Sequence, residues 1–213
     1  MKQNQKTVLI IAVVTVIGGA LFLNRGKFMT QVKPTPVKPT PAKVVHPLIK
    51  PNRVIIRYLG VFGDKNNPYR QGYGYHSGTD FYGLSTDNGF GNPVVSVADG
   101  IIVQSSPTLS PRGYGEIVVI HHPQLKVWSR YAHLNKRSIK IGAKVVAGQQ
   151  IGTIGTSGTD NTHLHFDILK KAALSSSWRW IPDKGFSREQ VLDIFHDPQV
   201  WLKNNKAVDL GDL

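Results

Sequence analysis

The sequence of 213 residues contains no cysteine. This excludes disulfides, iron–sulfur clusters and zinc sites built on thiolates, so any metal ion must be held by His, Asp or Glu. Glutamate is scarce as well, since only Glu116 and Glu189 occur. Neither of them follows a histidine, which excludes the HExxH class of metalloproteases. A lysozyme-type glycosidase needs paired carboxylates, and no pattern in the sequence pairs the Asp residues.

Acidic residues are absent from the first 50 positions. The net charge is +13; residues 1–50 carry eight Lys or Arg, which gives +8, and residues 51–213 carry 18 against 13 Asp or Glu, which gives +5. Because no recognition motif accompanies this charge, we expect no nucleic-acid partner. A basic tail also suits a polyanionic cell envelope or lipid headgroups.

An uncharged apolar run covers residues 7–23, with Lys2 and Lys6 before it and Arg25 and Lys27 after it. Its 17 residues are at the short limit for a membrane span and the long limit for a signal-peptide core. The flanking charges favour an uncleaved anchor over a cleaved signal peptide, and a buried core helix fits less well. We therefore assign residues 1–30 to an N-terminal membrane segment.

Proline recurs through residues 31–52, where the sequence VKPTP occurs twice in tandem. This composition prevents helix and favours extended polyproline II structure. The segment is predicted to be a basic Pro-rich linker, either a semi-rigid spacer or a disordered chain.

The composition changes at residue 53, and residues 53–213 are predicted to form one folded domain. Short apolar runs rich in β-branched residues are bounded by Gly, Pro, Asn or Asp, which predicts an all-β fold with a small antiparallel sheet or sandwich. Ser187 and Gln190 form a capping box that predicts a helix, and Pro198 is placed to open a short final helix. The clearest runs are PVVSVADGIIV, EIVVIHH, KVWSRYAHL, AKVVAGQQIGTIG and HLHFDIL.

Two histidine spacings suggest chemistry. His76 and Asp80 are four residues apart, and His163 and His165 are two apart. On a strand, even separations place side chains on one face, and imidazole and carboxylate groups suit zinc. Each pair alone is a weak signal. Together with His133, which lies in another strand-like run, they form an unusual set.

The motifs HSGTD, GNPVVSVADGIIV, GYGEIVVIHH, SRYAHL, GAKVVAGQQIGTIGTSG and HLHFD occur in this order over residues 74–169. In this order and spacing the sequence resembles the zinc metallopeptidases typified by lysostaphin and LytM. The resemblance implies a β domain with a groove over one zinc ion bound by His76, Asp80 and His165, with a fourth position left for water. It assigns His133 and His163 as the catalytic histidines that act on the zinc-activated water. The implied substrate is a peptide bond of bacterial peptidoglycan, and the implied location is the cell envelope outside the cytoplasm, or secretion if the apolar segment is cleaved.

The sequence departs from this family at two places. Residues 159–162, TDNT, replace the usual small residues before HLHF, and residues 172–196 are predicted to be an insertion in which Trp178 and Trp180 either line a groove or pack. The main alternative to an enzyme is a wall-binding or regulatory scaffold of the same family. Such relatives usually lack one or more of the five site residues, whereas all five are filled here. The sequence favours no oligomeric state and no one peptidoglycan bond.

Overall fold

A computed structural model describes residues 41–49, 61–63, 75–84, 86–107, 113–171 and 187–210. All of them belong to one compact unit, Thr40–Leu213. The predicted membrane segment, 1–30, and most of the predicted linker, 31–52, lie outside the described residues, so the division of the chain stays a prediction. Within the described ranges, no helix is long and apolar enough to cross a bilayer.

The described residues form a mostly β structure with two short helices. The helices are α1 (Arg188–Ile194) and α2 (Pro198–Asn204). The strands are β1 (Thr79–Phe81), β2 (Pro93–Val95), β3 (Gly100–Pro107), β4 (Glu116–His122), β5 (Val127–Ala132), β6 (Leu134–Arg137), β7 (Lys144–Val145), β8 (Gln150–Ile154), β9 (Leu164–Leu169) and β10 (Phe195–His196).

The strands form two antiparallel sheets. The larger sheet has the order β1-β9-β5-β4-β3-β7, and β10 also pairs with β9, alongside β1. The smaller sheet has the order β2-β8-β6. The pairings between these strands are all antiparallel, which confirms the expected mostly-β, antiparallel class.

Strand β9 shows how the sequence separates the two faces of the larger sheet. Its alternate residues Leu164, Phe166 and Ile168 are fully buried in a core that also contains Ile151 and Ile154 of the smaller sheet. This core therefore lies between the two sheets. The residues between them in sequence point to the opposite face, because side chains alternate along a strand. That face carries the polar residues of β9.

Both predicted helices are present. Ser187 caps α1 through the predicted capping box with Gln190, and Pro198 opens α2 behind the cap Asp197. The buried side chains of α1 pack with Leu169 and Phe195. Helix α1 therefore covers the end of β9 beyond its polar residues.

Candidate metal centre

Three side chains bring their polar atoms to one point beside β9. Asp80 lies in β1 and is paired in register with His165 of β9. Asp80 Oδ1 is 2.8 Å from His165 Nδ1 and 3.1 Å from His76 Nε2, and the two nitrogens are 3.0 Å apart. All three residues are buried, with His76 at 0% exposure. The antiparallel pairing of β1 with β9 therefore positions two members of the cluster, and His76 joins them from the chain just before β1.

His76 does not share a strand with Asp80, contrary to the prediction from their spacing. β1 begins only at Thr79, so His76 lies in the segment before it and is not placed by strand alternation. Its ring is held instead by Nδ1–H, which donates to the Val61 carbonyl oxygen at 3.0 Å. Gly78 permits this close path, because a Cβ there would lie 2.4 Å from the Phe166 carbonyl oxygen.

When His165 Nδ1 carries no proton, the cluster presents three electron-pair donors to one another. His76 Nδ1 donates its proton to a carbonyl, so Nε2 of the neutral ring carries a lone pair. Asp80 accepts only. A proton on His165 Nδ1 would satisfy only part of the set, whereas a cation among the three atoms satisfies all of them. Bonds of about 2.0–2.1 Å in a tetrahedral zinc site separate neighbouring donor atoms by roughly 3.3 Å, so the observed spacing fits such a metal after a small expansion.

Electrostatics keep Asp80 ionised. Burial acts to raise the pKa of this carboxyl, but the nearby rings of His76 and His163 and the hydrogen bond from His165 outweigh it, and the pKa lies well below its usual range. An anionic oxygen is thus present where the three donor atoms meet.

A buried ion pair lies behind His165. Asp167 Oδ2 is 3.1 Å from His165 Nε2, without the alignment of a full hydrogen bond, and 2.6 Å from Arg130 Nε. Arg130 and Asp167 are both fully buried, and the guanidinium lies 3.7 Å over the Tyr114 ring. Burial acts to raise the pKa of Asp167, but Arg130 and His165 lower it far below normal. Sequence reasoning missed this pair, although the alternation of β9 places Asp167 on the same face as His165.

His133 lies at the turn between β5 and β6. Its backbone has a positive φ of 59°, so it is not part of a strand as the sequence suggested. Its Nδ1–H donates to the Ser157 carbonyl oxygen at 2.8 Å. Burial lowers the pKa of His133 well below normal, and the neighbouring His163 and His165 lower it further. The ring is therefore neutral with an unprotonated Nε2.

His163 lies one residue before β9 and faces the same cluster. Its Nδ1–H donates to the Asn161 carbonyl oxygen at 2.9 Å, and its Nε2 is 3.8 Å from Asp80 Oδ1. Its ring centroid is 4.5 Å from that of His133, and Tyr82 stacks on it at 5.6 Å. The structure thus brings all five predicted site residues together.

The two histidines of β4 lie away from this cluster. His122 points to the opposite face of the sheet, where it bonds to Asp99 and Ser129, and His121 stacks on Trp128 at 4.5 Å. Trp178 and Trp180 lie outside the described residues. The described part of the predicted insertion, 187–196, forms α1 and β10.

Comparison with known proteins places this site in a family. Residues 74–176 match Peptidase family M23. The chain is 34% identical over 102 residues to murein hydrolase activator NlpD of Salmonella dublin, covering 48% of this chain and 26% of the relative. It is 32% identical over 94 residues to lipoprotein NlpD of Yersinia enterocolitica, covering 44% of this chain and 94% of that one.

An endopeptidase and a solved structure are also similar. Glycyl-glycine endopeptidase ALE-1 of Staphylococcus capitis is 35% identical over 111 residues, covering 48% of this chain and 30% of the relative. The solution structure of lysostaphin matches with a TM-score of 0.52 and 25% identity, over 73% of this chain and 52% of lysostaphin. The chain spans only about a quarter of the length of the first curated relatives. On these matches and on the geometry of its site, the chain belongs to peptidase family M23.

Proposed function

We propose that the protein is a zinc-dependent endopeptidase that hydrolyses peptide bonds in bacterial peptidoglycan. The observation that carries this proposal is the meeting of three buried donor atoms from His76, Asp80 and His165 beside two further histidines. Structural zinc sites fill all four positions with protein ligands, whereas catalytic zinc sites keep one position open for water or substrate. The relative ALE-1, named as an endopeptidase, supports the same reading.

His76, Asp80 and His165 would hold the zinc ion through Nε2, Oδ1 and Nδ1. When bound, zinc lowers the pKa of a water molecule and polarises the carbonyl of the bond to be cut. The buried Asp80 carboxylate offsets part of the metal charge. Asp167 orients the ring of His165 from beside its Nε2, and Arg130 forms an ion pair with Asp167.

His133 and His163 supply the proton transfers. Each ring donates Nδ1–H to a main-chain carbonyl, so a neutral ring has its lone pair on Nε2 and accepts a proton there. Their centroids are 4.5 Å apart, and charge on His163 lowers the pKa of His133. Double protonation of the pair is therefore disfavoured, so the two rings together are suited to hold at most one added proton. This pairing suits a reaction that needs a base toward water and a donor toward the developing oxyanion.

The test uses purified full-length protein loaded with zinc and purified peptidoglycan from species with different cross-bridges. Mass spectrometry of the soluble products should show peptides with new amino and carboxyl ends. The matched control is His133→Ala, which should keep its zinc and release few products. A zinc-loaded wild-type protein that leaves every wall type uncut would contradict the proposal.

A second candidate is that the protein activates other wall hydrolases. It is favoured by one observation, the similarity to proteins named murein hydrolase activator NlpD. Adding the protein to a purified murein hydrolase separates the two functions. An activator raises cleavage by the second enzyme while cutting nothing alone, and this effect should persist in His133→Ala. An endopeptidase cuts alone and loses this activity in the same variant.

The proposed location is the cell envelope, with the folded domain outside the cytoplasm and residues 1–30 in the membrane, because peptidoglycan lies outside that membrane. Protease added to intact, wall-stripped cells should degrade the domain. Protection that ends only on lysis would contradict both the location and the substrate.

A further inference from the structure

His133 occupies an unusual backbone position. It is the single residue between β5 of the larger sheet and β6 of the smaller sheet. Its φ of 59° falls in the left-handed region, which few non-glycine residues adopt, so the contacts around its backbone and ring are informative. Two loops, 113–115 and 155–158, supply those contacts.

Each loop gives His133 one main-chain acceptor. The backbone N–H of His133 donates to the Tyr114 carbonyl oxygen at 2.9 Å, and its Nδ1–H donates to the Ser157 carbonyl oxygen at 2.8 Å. The backbone and the ring are thus held from two sides. Because a carbonyl oxygen only accepts, the second bond also decides which ring nitrogen carries the proton.

The Ser157 carbonyl is itself held in place. Ser157 Oγ accepts from the backbone N–H of Glu116 at 2.8 Å and donates to the Leu134 carbonyl oxygen at 2.8 Å. The side chain of Ser157 therefore ties its loop to the first residue of β4 and the first residue of β6. Strand β6 begins directly after His133, so these bonds fix the acceptor relative to the ring it serves.

Glycine makes the contact between the two loops possible. A Cβ on Gly115 would lie 2.1 Å from the Ser157 carbonyl oxygen, the same atom that accepts the proton of His133. A Cβ on Gly158 would lie 2.6 Å from the Gly113 carbonyl oxygen. Any side chain at Gly115 must push the Ser157 carbonyl away.

We propose that Ser157 and Gly115 are positioning residues for His133. Together they hold the Ser157 carbonyl against Nδ1–H, which keeps Nε2 of His133 unprotonated and keeps the ring beside His163 and the metal ligands. This inference rests on the proposed function for its effect on turnover. The predicted tautomer of His133 does not depend on catalysis.

Gly115→Ala tests the contact, with Gly142→Ala as its matched control. Both glycines have positive φ, 59° and 83°, but a Cβ at Gly142 meets nothing within 4 Å. Full-length zinc-loaded variants are assayed on soluble cross-linked peptidoglycan fragments. Gly115→Ala should keep its zinc and its KM but lose kcat by roughly 10²-fold, as small displacements of a catalytic group do. Gly142→Ala should keep wild-type kcat. An equal loss in both variants would overturn the proposal, because backbone strain alone would then explain it.

Ser157→Ala provides a second variant with a milder change. It keeps the carbonyl and removes both Oγ bonds, so we expect kcat to fall by about tenfold with KM and zinc content unchanged, the usual range for a lost supporting contact. Unchanged kcat in this variant would show that the Oγ bonds do not position the carbonyl. This measurement decides the role of Ser157 even if Gly115→Ala does not fold.

Ring ¹⁵N chemical shifts of His133 separate this inference from the proposed function. In zinc-loaded wild-type protein, Nδ1 should be protonated and Nε2 unprotonated, and Ser157→Ala should weaken this preference. The opposite tautomer in wild-type protein would overturn the proposal even in an active enzyme. The expected tautomer in a protein that cuts no wall would support the contact and contradict the endopeptidase function instead.

Discussion

His165 and His122 are both buried histidines on strands of the larger sheet, but their surroundings differ in kind. His122 has a hydrogen-bond partner for each of its two nitrogens: Nδ1–H donates to the Asp99 carbonyl oxygen at 2.9 Å, and Nε2 is 2.7 Å from the Ser129 hydroxyl. His165 Nδ1 instead faces Asp80 Oδ1 and the lone pair of His76 Nε2. A histidine whose two nitrogens each have a hydrogen-bond partner is structural, whereas His165 belongs to a cluster of donor atoms that could hold a metal ion.

The two regions also differ in the charge that they tolerate. Burial lowers the pKa of His122 to about 4, so that ring stays neutral in the folded protein. At the metal centre, burial acts to lower the pKa of His165, but Asp167 and Asp80 outweigh it and raise that pKa. The core face excludes charge, and the site face stabilises it.

The largest effect is expected when a metal ligand is removed. Asp80→Ala takes away the only anionic donor, so zinc should fall from about one per chain to near zero and peptidoglycan cleavage should fall to background. Zinc content and cleavage rate are measured on the same samples. His122→Asn is the control and should retain both. Loss of zinc in the control, or its retention in Asp80→Ala, would remove the distinction between the two regions.

A smaller effect is expected for the histidines that face the cluster without being assigned as ligands. His133→Ala and His163→Ala should retain zinc but lower turnover by roughly 10²–10⁴-fold, because each removes a proton-transfer group. Zinc content and turnover are again measured together. If His163→Ala loses zinc while His165→Ala keeps it, His163 is the metal ligand and His165 is the proton-transfer group. Full activity in His133→Ala would contradict the mechanism at that residue.

The ion pair behind His165 should affect metal affinity. Asp167→Asn removes the charge beside His165 Nε2, so we expect zinc affinity to fall by about 10–100-fold, as for other groups that orient a ligand histidine. Competition with a chelator measures this affinity. The single change also leaves Arg130 buried without the charge of Asp167. The double variant Arg130→Met/Asp167→Asn, which removes both charges, is therefore compared with it. Wild-type affinity in both variants would show that the pair only packs.

The last effect concerns stability and pH, away from the metal centre. The unfolded state binds a proton at His122 near pH 6.5, whereas the folded state binds it only near pH 4. As the pH falls through this window the unfolded state gains the proton first, so the free energy of unfolding should fall by about 3 kcal/mol. Urea unfolding of chelator-treated wild-type and His122→Asn protein at pH 7 and pH 4.5 measures it. The variant should lose less with acid, and equal losses in both would contradict the assignment.

Local sequence signals predicted much of the fold. The run EIVVIHH forms β4 over Glu116–His122, and the capping box at Ser187 and the proline at 198 open the two helices as expected. These features depend on residues that are close in sequence. The five site residues could also be chosen from the sequence, through motif order and resemblance, although their individual roles stay predictions.

Contacts between distant parts of the chain could not be predicted. The turn at His133 depends on Tyr114 and Ser157, which are 19 and 24 residues away, and the partner of Asp167 is Arg130 on the neighbouring strand. The hydrogen bond from His76 to the Val61 carbonyl oxygen also joins residues that are distant in sequence. Register between β5 and β9 decides the Arg130–Asp167 pair and loop packing decides the others, and neither composition nor periodicity encodes them.

X-ray absorption at the zinc edge, combined with a crystal structure of the zinc-loaded protein, tests the central claim most directly. Our account predicts one zinc ion bound by His76 Nε2, Asp80 Oδ1 and His165 Nδ1, with a fourth ligand that is not a protein atom. Binding by His133 or His163 as a fourth protein ligand would close the site and contradict the proposed catalytic role, as would a zinc ion bound anywhere else in the chain.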